Sequence, residues 1–346
     1  MGQTARRTAV ATLIVIGLVA LALALWKVKL VIALLFLGYT LAASMRPGVE
    51  WLHSHRVPRG IGLLLHYLVL LGAVALLLWL IVPRATSQVQ SALNSLPSAT
   101  SHSSGIKHQI LNSLHKQLSH LPTGSKIVHP ALSISVKAFE IVVGIFFMLA
   151  SAAYWVVERD RFIDVVASTM PRPKRKTMRD TWILIDAKLG AFVRGQGILI
   201  VLVAAILSGL FFAIGLDYWL LIGTFAGIVE FVPVIGPLVA GALAIGVGFT
   251  QSVHVAALAG VCVLAVRLAE DYLISPRILG EATGLSPLVV LVSVTSAGIL
   301  FGGFAVVLAV PLAVLIVTIF DVVVRGRDPA EEEKPAVLFS AKDEAG

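Results

Sequence analysis

The segments GLDYWLLIGTFAGIVEFVPVIGPLVAGALAIGVGFTQ, residues 215–251, and GLSPLVVLVSVTSAGILFGGFAVVLAVPLAVLIVTIF, residues 284–320, decide how this chain folds. Each is apolar for nearly twice the roughly 20 residues that one helix needs to cross a bilayer. Each is broken near its middle, the first by Pro233, Gly236 and Pro237, the second by Gly298, Gly302 and Gly303. In lipid, where every backbone polar group needs an internal partner, such a run is best satisfied as two antiparallel helices meeting at a tip. Gly215-Leu216 opens the first segment and Gly284-Leu285 the second, a faint sign of internal duplication.

One apolar crossing, residues 253–274, lies between the two segments. A hairpin returns to the side it entered, so a lone crossing between two hairpins makes them enter from opposite faces. The expected fold class is an all-α polytopic membrane protein, a helical bundle with two inverted, re-entrant-like broken-helix hairpins. Secondary transporters use this arrangement to place a binding site between membrane faces.

Composition supports the same class. Hydrophobic residues make up 58% of the 346 and charged residues only 13%, and the mean hydropathy is +0.94, far outside the soluble range. The net charge of +8 does not indicate nucleic acid, because the basic residues flank apolar runs, where they act as positive-inside signals. The single cysteine, Cys262, rules out an intrachain disulfide or a cysteine metal cluster. Arg6-Arg7 and the apolar residues 10–25 have the outline of a signal peptide, with Ala22-Leu23-Ala24 as a cleavage motif. The next apolar run, 30–44, follows so closely that a retained helical pair is expected instead.

Six regions follow. Residues 1–83 hold N-terminal transmembrane helices, with Pro47 expected to end the second and Pro83-Arg84 the third. Residues 84–135 form an extracytoplasmic amphipathic segment, with Ile106, Ile110, Leu111, Leu114, Leu118 and Leu121 on one stripe and His102, His108, His115, His120 and His129 among its polar positions. Their spacing lacks a tight metal-ligand pattern and reads as a solvated face. Residues 136–157 are a crossing, and 158–195 a cytoplasmic basic and amphipathic segment containing Arg172, Lys174, Arg175, Lys176 and Arg179. Residues 196–324 form a transport core with the two hairpins, and 325–346 a charged cytoplasmic tail. Loop charges place both termini in the cytoplasm.

There is no GxxxxGK[ST], HExxH or GxSxG, so neither ATP coupling nor hydrolase chemistry is expected, and the chain is not read as an enzyme. The informative residues are ionisable or helix-breaking groups at membrane depth. Glu230 sits just before the first break, where it binds a cation or proton, hydrogen-bonds a polar substrate, or caps amides freed at the broken helix. Arg267, Glu270 and Asp271 fall at i, i+3 and i+4 on one helical face, which suits an internal salt bridge or a gating, proton-linked group. Gln196 faces the pathway or anchors the interface. Thr295 and Ser296 donate to a polar solute or back-bond to their own helix. Pro237 suits the first turn of the returning helix, and Pro311 frees carbonyls in the last one. His66 is either a proton relay or a hydrogen-bonded structural histidine.

At these residues the chain resembles the autoinducer-2 exporter family of bacterial permeases. The matching stretches are RGQG at Arg194–Gly197, EFVPVIGP at Glu230–Pro237, SPRILG at Ser275–Gly280, and GLSPLVVL followed by LFGGFAVVLAVPLAVL. Pro276 and Gly280 enter as hinge candidates through this match. Val232 stands where isoleucine is common, and Ser286 where histidine is common. The latter departure bears on any proton coupling that a histidine there would support. The resemblance is tight over residues 194–324 and rests on hydropathy alone before them. It implies a multi-pass bacterial inner-membrane permease and a homo-oligomer, with a pentamer as the expected size. Its partners would be the lipid bilayer and a small polar solute or monovalent cation. No cofactor is expected beyond coupling to a proton or sodium. The expected function is secondary export of a small polar, autoinducer-2-like solute, with the hairpin tips meeting to form the site. The alternatives are a sodium or lithium/proton antiporter and, from another class, a non-transporting membrane scaffold subunit.

Overall fold

The computed structural model describes residues 2–101, 128–232, 235–274, 284–332 and 335. Those residues form ten α-helices and no strand: α1 (Gly2–Lys27), α2 (Lys29–Ser54), α3 (Arg59–Ser101), α4 (Val128–Ser168), α5 (Arg172–Ala213), α6 (Trp219–Val229), α7 (Ile235–Gln251), α8 (Val253–Ala269), α9 (Pro287–Phe301) and α10 (Gly303–Val323). Among the described residues, six stretches are long and apolar enough to cross a membrane: Lys29–Ser54, Arg59–Pro83, Phe139–Ser168, Arg172–Ala213, Val253–Ile274 and Gly303–Val323. The chain is an all-α polytopic protein, as its hydropathy dictates.

Helix α5 is the spine. Its 42 residues run unbroken from the basic cluster into the apolar crossing, and it packs on α2, α4, α6, α8 and α10. One core joins Val203, Leu207 and Phe211 of α5 to α6, α7 and α8. A second joins Ile185, Leu189 and Phe192 of α5 to Ala43 of α2, α9 and α10. A third lies between α2, α3 and α4, around Met45, Val49, Leu63 and Ala152. Small residues set the closest approach: Gly223 and Gly227, four apart on α6, lie against Ser208 and Ala204 of α5, the close packing that membrane helices favour.

Two expected helix ends are absent. Pro47 lies inside α2, which continues to Ser54, and α3 runs through Pro83 to Ser101. Proline removes one backbone donor and frees the carbonyl four residues earlier. For Pro47 that carbonyl belongs to Ala43, and it lies against Gly190 of α5. The adjacent Ser44 carbonyl accepts from Arg194 at 3.0 Å. Tertiary contacts thus hold the helix together past its proline. His66 binds the Gly62 carbonyl at 2.8 Å and packs on Gly48, a structural placement.

The two broken segments form two helix pairs. In the first, Gln251 at the end of α7 donates to the Gly215 carbonyl (3.1 Å) and accepts from Asp217 N–H (3.2 Å), so the pair closes at its base. At its far end Gly236 lies against the Val229 carbonyl. In the second, α9 and α10 pack together about Gly302, which has φ 90°, a conformation that side chains disfavour. Ser286 caps α9, its hydroxyl accepting from Val289 N–H at 3.4 Å. Gly298 lies within α9 facing Val306, and Pro311 is buried inside α10.

Residues beside the two turns share one apolar cluster: Val232, the last described residue of the first turn, and Ala297 and Val306, on either side of the second, all pack against it. Phe301, beside Gly302, packs on Trp26 at the end of α1. Pro233, Pro276, Gly280, His102, His108, His115, His120 and the stripe 106–121 lie outside the described residues.

Gly236→Ala is expected to cost about 2 kcal/mol, because its new Cβ would meet a backbone oxygen that cannot rotate away. Thermal unfolding in detergent measures this; an unchanged midpoint would show that the turn can relax.

Candidate functional site

The first turn carries a carboxylate into an otherwise apolar interior. Helix α6 ends at Val229, and the turn after it satisfies the last carbonyls, with Glu230 N–H donating to Ala226, Phe231 to Ile228 and Val232 to Val229. Gln196, buried on α5, donates to the Glu230 carbonyl at 3.0 Å, so one side chain of the spine ties down the turn. The Glu230 side chain then projects toward α8.

There Arg267 gathers three carboxylates. Its Nη1 lies 3.3 Å from Glu230 and 3.2 Å from Glu270, and its Nη2 lies 2.9 Å from Asp271. Glu230 and Glu270 are each only 5% exposed and share the Nη1 atom of Arg267. Helix α8 widens into a π-helical turn over Glu270–Ile274, a distortion often found at functional sites. A small cavity beside this group, lined by Val203, Leu207, Ala226, Pro237, Ala240, Val263 and Val266 as well as the charged residues, has room for about one water molecule.

Charge counting defines what this arrangement can do. Three carboxylates face one guanidinium, so the group carries surplus negative charge in a region of low dielectric. A proton or a bound monovalent cation takes up one of the two surplus charges, and Asp271, 46% exposed, meets water with the other. Glu230, Gln196, Arg267, Glu270 and Asp271 are therefore brought together. Thr295 lies exposed on α9 and takes no part in these contacts. Among the described residues, no group of three or more His, Cys, Asp or Glu has a geometry suited to a metal ion.

A second polar centre was not legible from the motifs. Asp186, buried on α5, accepts from Tyr39 at 2.7 Å and pairs with Arg159 and with Arg46, the latter at 3.5 Å. Arg159 also binds Asp160 at 2.9 Å. The signal was Asp186 itself, the one acid between Trp182 and Leu189 on the buried face of an amphipathic helix.

Near it the tail folds back. Lys188, buried on α5, binds Glu332 at 2.9 Å, and Arg327 links Glu332 (3.2 Å) to Asp321 (3.3 Å). The hydrogen bond from Lys188 holds the Glu332 carboxyl below its usual value near 4.5, outweighing partial desolvation. A carboxyl with its folded value depressed stabilises docking above its free value and loses that contribution as pH falls through the lower one. The tail is therefore expected to be docked at neutral pH and released in acid, as pH falls below the range of a free glutamate. Glu332→Gln should speed tryptic cleavage at Arg325 and Arg327 several-fold at neutral pH; equal rates would contradict the latch.

Six membrane-length apolar helices among the described residues, with buried ion-paired centres between them, define a multi-pass membrane protein. The comparisons are consistent with that class. Residues 13–325 match the AI-2E family transporter, and the chain belongs to this family. It is 24% identical over 305 residues to “Putative transport protein YrrI” of Bacillus subtilis (strain 168), covering 82% of this chain and 84% of that protein. YueF, a similarly named protein of the same organism, is 25% identical over 288 residues, 78% of each chain. MT0215 of Mycobacterium tuberculosis (strain CDC 1551 / Oshkosh), named in the same way, is 24% identical over 314 residues, 86% of this chain and 84% of that protein.

Proposed function

We propose that the protein is a secondary exporter of a small polar, autoinducer-2-like solute, driven by exchange of a proton or sodium ion at the Glu230–Arg267–Glu270–Asp271 group. The observation that carries this reading is two buried carboxyls and a third acid competing for one arginine. Loading a cation releases Arg267 from part of its carboxylate load. The contacts that hold the first helix pair to α8 weaken or strengthen accordingly, so ion occupancy biases which conformation the pair adopts. The pair would move against a static spine, α5, with Gln196 as the point of attachment.

A second reading makes the ion itself the cargo, as in a sodium or lithium/proton antiporter. The cavity favours it, since Glu230 and Glu270 are among its lining residues and it is sized for about one water. Loop charges support cytoplasmic termini in a bacterial inner membrane. The apolar surface left exposed on α1, α3 and α9 suits lipid and neighbouring copies in a homo-oligomer such as a pentamer.

Proteoliposomes with an internal pH dye and an outward gradient of a labelled furanose-like solute separate these readings. Under solute export, wild-type flux collapses when the proton and sodium gradients are dissipated, and Glu230→Gln reduces driven flux at least tenfold. Under antiport, sodium moves protons without solute, and the same substitution removes that movement. Passive solute flux that ignores both gradients, or no flux from folded protein, would overturn ion-driven export, the latter in favour of a scaffold.

A further inference from the structure

Three buried donors at one place in the bundle have no acceptor among the described residues: Arg159 Nη2 and the indole Nε1 atoms of Trp155 and Trp182. They belong to a single cluster. The two indoles stack at 5.9 Å. Trp155 lies one turn before Arg159 on α4, and Trp182 one turn before Asp186 on α5, with Arg159 bound to Asp186. The Arg159 side chain is 6% exposed and already spends its Nε on Asp186 and its Nη1 on Asp160. Only the third arm of the guanidinium is free.

The chemistry of the missing partner follows from the donor set. All three atoms donate and none accepts, so the partner must be rich in acceptors. Asp186 is already shared by Arg46 and Arg159, and Asp160 and Glu50 are engaged by the same arginines, so the neighbouring carboxylates are spent and the acceptor must come from outside the chain. The location points the same way. Here the apolar run of α4 gives way to Glu158, Arg159, Asp160 and Arg161, and tryptophans beside such a change mark the headgroup level. Phe162, which packs on both indoles, is 44% exposed and opens the cluster toward the lipid side.

We propose that Trp155, Arg159 and Trp182 bind the phosphate–glycerol region of one anionic membrane phospholipid, clamping α4 to α5 at the headgroup level. The indole N–H groups and the guanidinium arm donate to phosphate and ester oxygens, while acyl chains lie along the exposed face beside Phe162. This site is separate from the Glu230 group and does not depend on what the protein carries.

The test is native mass spectrometry of the full-length protein in mild detergent, titrated with phosphatidylglycerol. Trp155→Phe and Trp182→Phe keep a ring in place and delete one donor each. Each should weaken retention by about tenfold, the loss expected for one buried bond to a charged acceptor. Arg159→Lys keeps the charge but not the fork, and should weaken it comparably. Millimolar inorganic phosphate should leave lipid retention unchanged. Equal retention by wild type and all three variants would overturn the site. So would displacement by inorganic phosphate, which would make it a free-anion site, or the absence of retained lipid on wild type, which would leave water as the partner.

Discussion

Arg267→Met is expected to abolish ion-driven transport and to destabilise the protein by about 3 kcal/mol, because it strands two buried carboxyls without their only shared cation. Arg267 is 29% exposed, which keeps the cost toward the lower end for a broken buried pair. The double variant Arg267→Met/Glu230→Gln separates structure from mechanism. Removing one carboxylate relieves part of the repulsion and should recover roughly half of the lost stability. Flux should stay absent, since the exchange group is gone. Lysine at position 267 restores charge but not a planar fork able to meet three acids, so it should rescue stability better than transport. Thermal midpoints and proteoliposome flux measured on the same preparations decide the matter. Wild-type flux from Arg267→Met would remove the ion group from the mechanism.

Asp186→Asn is expected to cost about 3–4 kcal/mol without touching the Glu230 group. Arg159 is buried as deeply as Asp186, so neutralising the acid leaves its guanidinium with only Asp160, which is 59% exposed, as a counter-charge. Asparagine keeps an acceptor for the Tyr39 hydroxyl and deletes only the charge. Pairing it with Arg159→Met should return most of the stability. Denaturation followed by tryptophan fluorescence would report both, since two indoles lie in the cluster. A loss under about 1 kcal/mol would mean that water reaches this centre and that the pair is effectively a surface bridge.

Much of this architecture could be read from the chain alone. Apolar length and the breaks at Gly236 and Gly302 define the two helix pairs, and Glu230, Gln196 and the Arg267–Glu270–Asp271 face stand out as polar groups where lipid forbids unpaired ones. Helix ends were harder. Pro47 and Pro83 resemble terminators, yet a helix survives a proline where neighbours take over the freed groups, and the partner at Pro47, α5, lies more than 140 residues away in sequence. The neighbour of the second turn was not legible for the same reason: Phe301 packs on Trp26 of α1, far away in sequence. Asp186 was hidden by company. Among Trp182, Ile185 and Leu189 it resembles a solvated position on an interfacial helix, and only the arrival of Arg46 and Arg159 from two other helices makes it a buried centre.

Transport by this fold requires the two broken helix pairs to enter the bundle from opposite membrane faces. Single cysteines at Asp217, where the first pair begins, and at Ser286, where the second begins, can be introduced after replacing Cys262 with alanine. Labelling intact cells with a membrane-impermeant maleimide, before and after permeabilisation, reads the side of each. Asp217→Cys is expected to react in intact cells and Ser286→Cys only after permeabilisation. Reaction of both from the same side would contradict the inverted arrangement and the transport mechanism built on it.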